Sequence, residues 1–192
     1  MAITLEGNWK SGKAYDLHTV SSTHLGADEF GHSRFENTRS EMGEYVYRLK
    51  YKLDQSVVEK IVNLLDSIGE IEGFDFLVPI PPTKKDRPIK PVELITIALG
   101  KRRGVAVDTG SLVNSGSAEL KEITDPVARN ELLVAALMLK PAGDKFQQKR
   151  ILLVDDLYRS GATLSVATNL FYKQGEAAQV SVLTMTKTRS NR

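Results

Sequence analysis

Arg150-Ile151-Leu152-Leu153-Val154-Asp155-Asp156-Leu157-Tyr158-Arg159-Ser160-Gly161-Ala162-Thr163-Leu164 is the stretch on which the reading of this chain turns. Ile151 to Val154 is a continuous apolar run with β-branched members, the pattern of a strand buried on both faces of a parallel sheet. Two adjacent carboxylates, Asp155 and Asp156, follow at its C-terminal end. Leu157 to Ser160 reads as a short turn. From Gly161 the apolar spacing becomes helical, through Leu164, Ala167, Leu170 and Phe171, until Gly175 stops it.

A strand, a polar turn and a helix N-terminus in succession bring together free backbone N–H groups and the positive end of a helix dipole. Ser160 and Thr163 add hydroxyl donors, and Gly161 lets the backbone approach a ligand closely. A phosphate fits such a cradle. The two aspartates would repel a bare phosphate, so the ligand must also offer hydroxyls or a cation for the carboxylates to hold. A sugar phosphate meets both demands.

Composition sets wide bounds. With 192 residues, 41% of them hydrophobic and 26% charged, the chain has the make-up of a globular domain with room for a small appendage. No apolar run reaches membrane-spanning length and no signal peptide is visible, so a cytoplasmic protein with no membrane partner is expected. The absence of cysteine excludes disulfides, thiolate catalysis and cysteine-ligated zinc. A formal charge of +2 is too small to argue for nucleic acid by itself.

Residues 1–53 differ in character from the rest, holding the only tryptophan, Trp9, and all three histidines, His18, His24 and His32. Ala14 to Val20 alternates as a strand would, and His24 to Asn37 reads as a polar loop. Gly7-Asn8-Trp9-Lys10-Ser11-Gly12-Lys13 fits the G-x-x-x-x-G-K part of a nucleotide-binding P-loop, which makes an NTPase a rival reading. Three points oppose it: Ala14 lacks the hydroxyl that would hold Mg²⁺, Trp9 is too bulky for the cradle, and a strand rather than a helix follows. A hairpin turn with a packed tryptophan is the expectation. The histidines are irregularly spaced, and packing or surface roles are expected of them rather than zinc ligation.

From Met42 the spacing is helical, with Met42, Val46 and Leu49 on one stripe. Asp54 caps a further helix that Gly69 ends. Phe74 to Ile80 is a second buried strand, running into Pro81-Pro82-Thr83-Lys84-Lys85-Asp86-Arg87, where three cations follow the C-terminal end of a strand. In open α/β sheets that edge binds ligands, and this loop could meet a pyrophosphate. Pro91 opens a helix that Gly100 is expected to close, and Val105 to Val107 makes a short strand. Asp108 to Asp125 is rich in Gly, Ser and Thr and has the length of a functional lid. Lys121 within it and Arg129 beyond it are placed to close over a polyanion. A strand is expected at the end of Leu132 to Leu139, and a last one at Val180 to Met185.

Val154-Asp155-Asp156-Leu157-Tyr158-Arg159-Ser160-Gly161-Ala162-Thr163 resembles the phosphoribosyl pyrophosphate (PRPP) signature of the type I phosphoribosyltransferases, with Ser160 keeping the hydroxyl of the usual threonine. The order of parts is similar to the competence-protein F (ComF) branch. Leu49-Lys50-Tyr51 resembles its Leu-Lys-Tyr segment and Val78-Pro79-Ile80-Pro81 its Val-Pro-x-Pro element. Arg87, Glu93 and Leu94 match part of its Arg-Gly-Phe-Asn-Gln-x-Glu-Leu stretch, and Lys121 and Arg129 lie near its Lys-Gly-Leu and Arg-x-x-Asn positions. The likeness covers about residues 42 to 187.

The resemblance implies an α/β fold, a parallel sheet flanked by helices with a small hood. Residues 1–53 would be the N-terminal extension and part of the hood, and residues 54–192 the phosphoribosyltransferase-like domain. It also implies site roles. Asp155 and Asp156 would hold the ribose hydroxyls. Tyr158, Arg159, Ser160, Gly161, Ala162 and Thr163 would bind the 5′-phosphate. Pro81, Pro82, Thr83, Lys84, Lys85 and Arg87 would form the pyrophosphate loop. Mg²⁺ would be held mainly through PRPP, with Asp155 and Asp156 as its protein contacts, and Lys121 and Arg129 would act from the lid. The expected activity is phosphoribosyl transfer to an unidentified nitrogen acceptor. The alternative is a non-catalytic PRPP-binding regulator or adaptor of a DNA-handling system. A homodimer and nucleic-acid or DNA-processing partners are compatible with either.

Overall fold

A computed structural model of the chain describes residues 2–27, 30–82, 88–115, 132 and 136–189. Its centre is a six-stranded sheet in the order β1 (Ile3–Thr4), β2 (Gly12–Leu17), β10 (Gln179–Lys187), β9 (Arg150–Tyr158), β5 (Phe76–Pro79) and β6 (Ala106–Val107). All neighbouring pairs are parallel except β1 with β2 at one edge. The architecture is α/β, a mostly parallel sheet with helices on both faces.

The apolar run of β9 alternates between those faces. Ile151 and Leu153 pack with Val78, Val180 and Val182 beneath Leu164, Ala167 and Phe171 of the helix α4 (Ala162–Lys173). Leu152 and Val154 face the other way, with Leu77, Leu183 and Met185. There they meet α1 (Glu41–Tyr51), α2 (Val58–Leu64) and α3 (Pro91–Arg103) through Met42, Leu49, Ile61, Ile95 and Leu99. Burial on both sides explains why β9 reads as unbroken hydrophobicity rather than alternation. A small antiparallel pair, β7 (Leu112–Asn114) and β8 (Leu137–Leu139), joins the α4 side through Leu112, Leu137 and Leu139.

From β5 the chain passes through α3 to β6 on one side. From β9 it passes through α4 to β10 on the other. Connections leaving neighbouring strands in opposite directions open a crevice at the strands' C-terminal ends. β5 pairs with β9 only as far as Pro79 opposite Val154, with Ile80 N donating to Val154 O at 2.8 Å. Past Val154, β9 keeps β10 on one flank and has lost β5 on the other.

The strand does not end at Val154. It continues through both aspartates to Tyr158, because β10 runs alongside with Thr184 opposite Asp155 and Lys187 opposite Tyr158. The turn is therefore shorter, Arg159 to Gly161. His24 to Asn37 is not a loop: β3 (Thr19–Ala27) and β4 (Ser33–Arg39) form an antiparallel ribbon outside the main sheet. Its residues are largely exposed, so its polarity reflects solvent rather than lack of structure. Gly100 does not close α3. It lies within the helix, where a Cβ would overlap Val107, and Gly104 ends the helix with φ +66°. The P-loop-like stretch is the turn between β1 and β2. Trp9 is buried in it, with Nε1 donating to Leu5 O at 3.0 Å. No helix among the described residues is long and apolar enough to cross a membrane.

Within residues 1–53, β2 pairs with β10 and α1 packs in the core, while β3 and β4 stand apart from the main sheet. The entry to α1 is tightly built. Ser40 Oγ accepts from Gly43 N at 3.0 Å, capping the helix, and donates to Leu17 O at the end of β2. Gly43 sits so close to His18 O that no side chain fits between them. The direction of α1, and hence the place of its last turn, is thereby fixed by the sheet edge.

Candidate functional site

Asp155 and Asp156 lie on the extension of β9 where β5 has turned away. Successive side chains of a strand point to opposite faces, so the two carboxylates have different surroundings. Asp156 is buried on the α1 side, and its Oδ2 accepts from Lys50 Nζ at 2.6 Å. Its carbonyl accepts from Thr186 Oγ1 at 3.1 Å. Thr186 has one proton to give, so His18 Nδ1, 3.2 Å from the same hydroxyl, donates to it. Burial, and next to it Arg39, hold the His18 pKa below the ordinary histidine value.

Asp155 is half-buried at the wall of the crevice, with its Oδ1 accepting from Asp156 N at 2.8 Å. Crowding by protein atoms, and then the neighbouring Asp156 carboxylate, push its pKa up to about 8.

The turn after β9 is built on two aromatic rings. Tyr158 is buried and meets Trp9 edge-on, with centroids 6.4 Å apart. Gly161 follows with φ +78°, and a Cβ there would lie 2.8 Å from the Tyr158 ring, so both backbone shape and space require glycine. Gly161 is also the N-cap of α4 and offers no side chain to its first-turn N–H groups. Ser160 Oγ is 3.5 Å from Ala162 N, at the outer limit of a hydrogen bond. The N-terminus of α4 is thus left open for an anion, with Thr163 and the exposed Arg159 beside it.

A cavity of about 290 Å³ fills the crevice. Asp155, Asp156 and Lys50 line it, and Arg159 and Thr163 bound it on the α4 side. On the β5 side it is walled by Ile80, Pro81 and Pro82 and by Lys90 to Glu93 at the start of α3. That helix also begins without a side-chain cap, with Pro91 in its first turn and Lys90 Nζ 3.0 Å from Glu93 Oε2. One cavity therefore has a carboxylate pair and two helix N-termini whose N-cap residues supply no side-chain hydrogen bond. Such an arrangement suits a ligand with anionic groups at two ends and hydroxyls between them.

Of the residues singled out by sequence, Asp155, Asp156, Arg159, Thr163, Pro81 and Pro82 are brought together around the cavity. Ser160 and Gly161 lie in the adjoining turn, between Tyr158 at the end of β9 and Ala162 at the start of α4. Thr83, Lys84, Lys85, Arg87, Lys121 and Arg129 lie outside the described residues. Sequence reasoning gave no role to Lys50, Tyr51, Lys90 or Asn114, all of which line the cavity. The available signal was Leu49-Lys50-Tyr51, where a lysine and a tyrosine follow directly on a core-facing leucine at the end of a helix.

No protein-family model matches the chain, and no curated protein matches it. Among solved structures it is similar to an adenine phosphoribosyltransferase from Thermoanaerobacter pseudethanolicus, at 13% identity and TM-score 0.42 over 86% of this chain and 95% of that one. It is also similar to a hypoxanthine phosphoribosyltransferase from Staphylococcus aureus, at 14% identity and TM-score 0.41 over 78% and 66%. A third is the adenine phosphoribosyltransferase of Saccharomyces cerevisiae, at 11% identity and TM-score 0.42 over 86% and 84%.

Proposed function

We propose that the crevice binds PRPP and that the protein is a phosphoribosyltransferase, of the ComF-like kind its sequence resembles, acting on a nitrogen acceptor. The observation that carries this reading is the carboxylate pair placed in one cavity with two uncapped helix N-termini. PRPP has a phosphate at one end, a pyrophosphate at the other and two ribose hydroxyls between.

In this reading Asp155 and Asp156 accept the ribose hydroxyls. The turn Tyr158 to Thr163 and the N-terminus of α4 take the 5′-phosphate. Pro81, Pro82 and the residues Thr83, Lys84, Lys85 and Arg87, with the start of α3, take the pyrophosphate. Lys121 and Arg129 close over it. As the bond from ribose C1 to pyrophosphate breaks, positive charge grows on the sugar ring beside the carboxylates, and negative charge grows on the leaving oxygens beside the cations. Closing the site keeps water from intercepting the sugar.

The oxygen donors suit Mg²⁺: Asp155 presents a carboxylate at the cavity wall, while Asp156 is already bonded to Lys50. Held mainly through PRPP, Mg²⁺ would neutralise charge on the departing pyrophosphate.

Calorimetric titration with PRPP and Mg²⁺, beside ATP and Mg²⁺, tests the reading. Saturable PRPP binding that Asp155→Asn weakens at least about tenfold is expected, from the loss of charge-assisted hydrogen bonds. Binding of ATP instead, or no binding of PRPP, overturns it. PRPP binding without pyrophosphate release across a panel of nitrogen acceptors would turn the proposal toward a non-catalytic PRPP sensor.

A further inference from the structure

Lys50 reaches the acidic pair from 106 positions away in the chain. Its Nζ stands 2.6 Å from Asp156 Oδ2, and the two side chains are only 21% and 12% exposed. It is not a loose surface arm. Leu49 beside it is wholly buried, Met42 and Val46 anchor the same helix, and Ser40 with Gly43 sets the helix against the end of β2. The fold thus delivers an ammonium group to one carboxylate of the pair.

A divalent cation on Asp156 Oδ2 would have to approach that oxygen to about 2.0–2.6 Å, and one on Oδ1 would lie beside the ammonium charge. The ammonium already fills the space at Oδ2, and its charge repels a second cation. Asp155 is differently placed: it is on the opposite face of the strand from Lys50, and its Oδ1 accepts from Asp156 N.

We infer that Lys50 is the resident counter-cation of Asp156. It fills the place at Oδ2 that a divalent cation would otherwise take, and it fixes the carboxylate's orientation. Asp155 is left as the member of the pair that no ammonium occupies. Lys50 is in this sense a positioning residue that acts through Asp156. The inference rests on the PRPP reading only for the ribose hydroxyl that Asp156 would receive; the exclusion of a metal from Asp156 does not depend on it.

The test uses Mn²⁺ alone, titrated into the ligand-free protein and followed by the electron paramagnetic resonance signal of free Mn²⁺. Lys50→Met keeps most of the length of the side chain and removes the charge. It is expected to bind Mn²⁺ roughly tenfold or more tightly than the unaltered protein, because the carboxylate has lost its cation. Asp156→Asn added to Lys50→Met should abolish the gain, and Lys50→Arg, which keeps a cation, should bind as the unaltered protein does. Equal binding by the unaltered protein and folded Lys50→Met overturns the inference, as does a gain in Lys50→Arg. Circular dichroism establishes folding, and Lys50→Gln replaces Lys50→Met if the latter does not fold. A protein that shows the Mn²⁺ pattern but no PRPP binding would retain the Lys50 assignment and lose the PRPP reading. The reverse result would do the opposite.

Discussion

Trp9 and Tyr158 meet edge-on at 87°, and through this contact the turn between β1 and β2 supports the turn that follows β9. The Tyr158 ring in turn leaves room at position 161 for a hydrogen and nothing larger. A packed tryptophan near the start of the chain therefore helps set the shape of an anion site more than a hundred positions later.

Trp9→Ala should destabilise the protein by about 3–5 kcal/mol, the usual cost of emptying a buried tryptophan site. Trp9→Phe should recover part of it. Urea unfolding followed by circular dichroism measures both. A cost under about 1 kcal/mol for Trp9→Ala would mean the indole is not a core element.

Gly161→Ala puts a Cβ into left-handed backbone and against Tyr158. A stability loss of about 1–2 kcal/mol is expected from the backbone alone, with weaker PRPP binding as the turn shifts. Unchanged stability together with unchanged affinity would show that the turn tolerates a side chain.

Asp155 gives the protein a distinctive pH response. Its folded pKa of about 8 lies above the ordinary 3.8, so between these values the folded state holds a proton that the unfolded chain has released. Stability contributed at this site therefore falls as pH rises from about 4 to about 8. Asp155→Asn should raise the melting temperature at pH 8 and much less at pH 5. In a chain of this size ~1 kcal/mol corresponds to ~2–4 °C. An equal effect at both pH values would contradict the raised pKa.

The same proton should leave when the carboxylate accepts ribose hydroxyls, since hydrogen bonds to the ionised form favour it. Calorimetry at pH 7 in buffers of different ionisation enthalpy should show release of up to about one proton on PRPP binding. No proton release by a protein that binds PRPP would show that Asp155 is already ionised.

Asp108 is the opposite case. It is buried at the corner after β6, and burial alone would raise its pKa. The Lys145 ammonium together with the Ser111 N–H and hydroxyl outweighs burial and holds it below the ordinary carboxylate value. Its contribution is present above the unfolded pKa and is lost as pH falls through the folded one. Asp108→Ala should cost about 1–3 kcal/mol at pH 7 by leaving these donors unpaired, and less as pH falls through the folded pKa.

The central strand, the helix after it and β5 were legible in sequence because burial on both faces of a parallel sheet leaves an unmistakable apolar signature. The end of β9 was not. Asp155 to Tyr158 is held in the sheet by β10, a partner that no local pattern reveals. The β3–β4 ribbon was missed because a strand pair exposed on both faces has no hydrophobic period to read. Gly100 shows a third limit: a glycine that permits close helix-to-strand packing looks in sequence like one that ends a helix. Lys50 is the most consequential omission. Its stripe partners Met42, Val46 and Leu49 announced a core-facing helix, but only the direction set by Ser40 and Gly43 shows where that helix ends.

The position of β10 has a consequence for how the molecule is made. It lies between β9 and β2, and Ser11 Oγ donates to Ser181 Oγ at 3.0 Å across 170 positions of chain. During synthesis β2 leaves the ribosome early, yet its neighbour in the sheet is the last of these strands to appear. The gap stays open until then, and the edges of β2 and β9 wait unpaired, exposed to wrong partners. A nascent chain stalled before residue 179 should therefore hold no closed sheet, because only β10 joins β2 to β9.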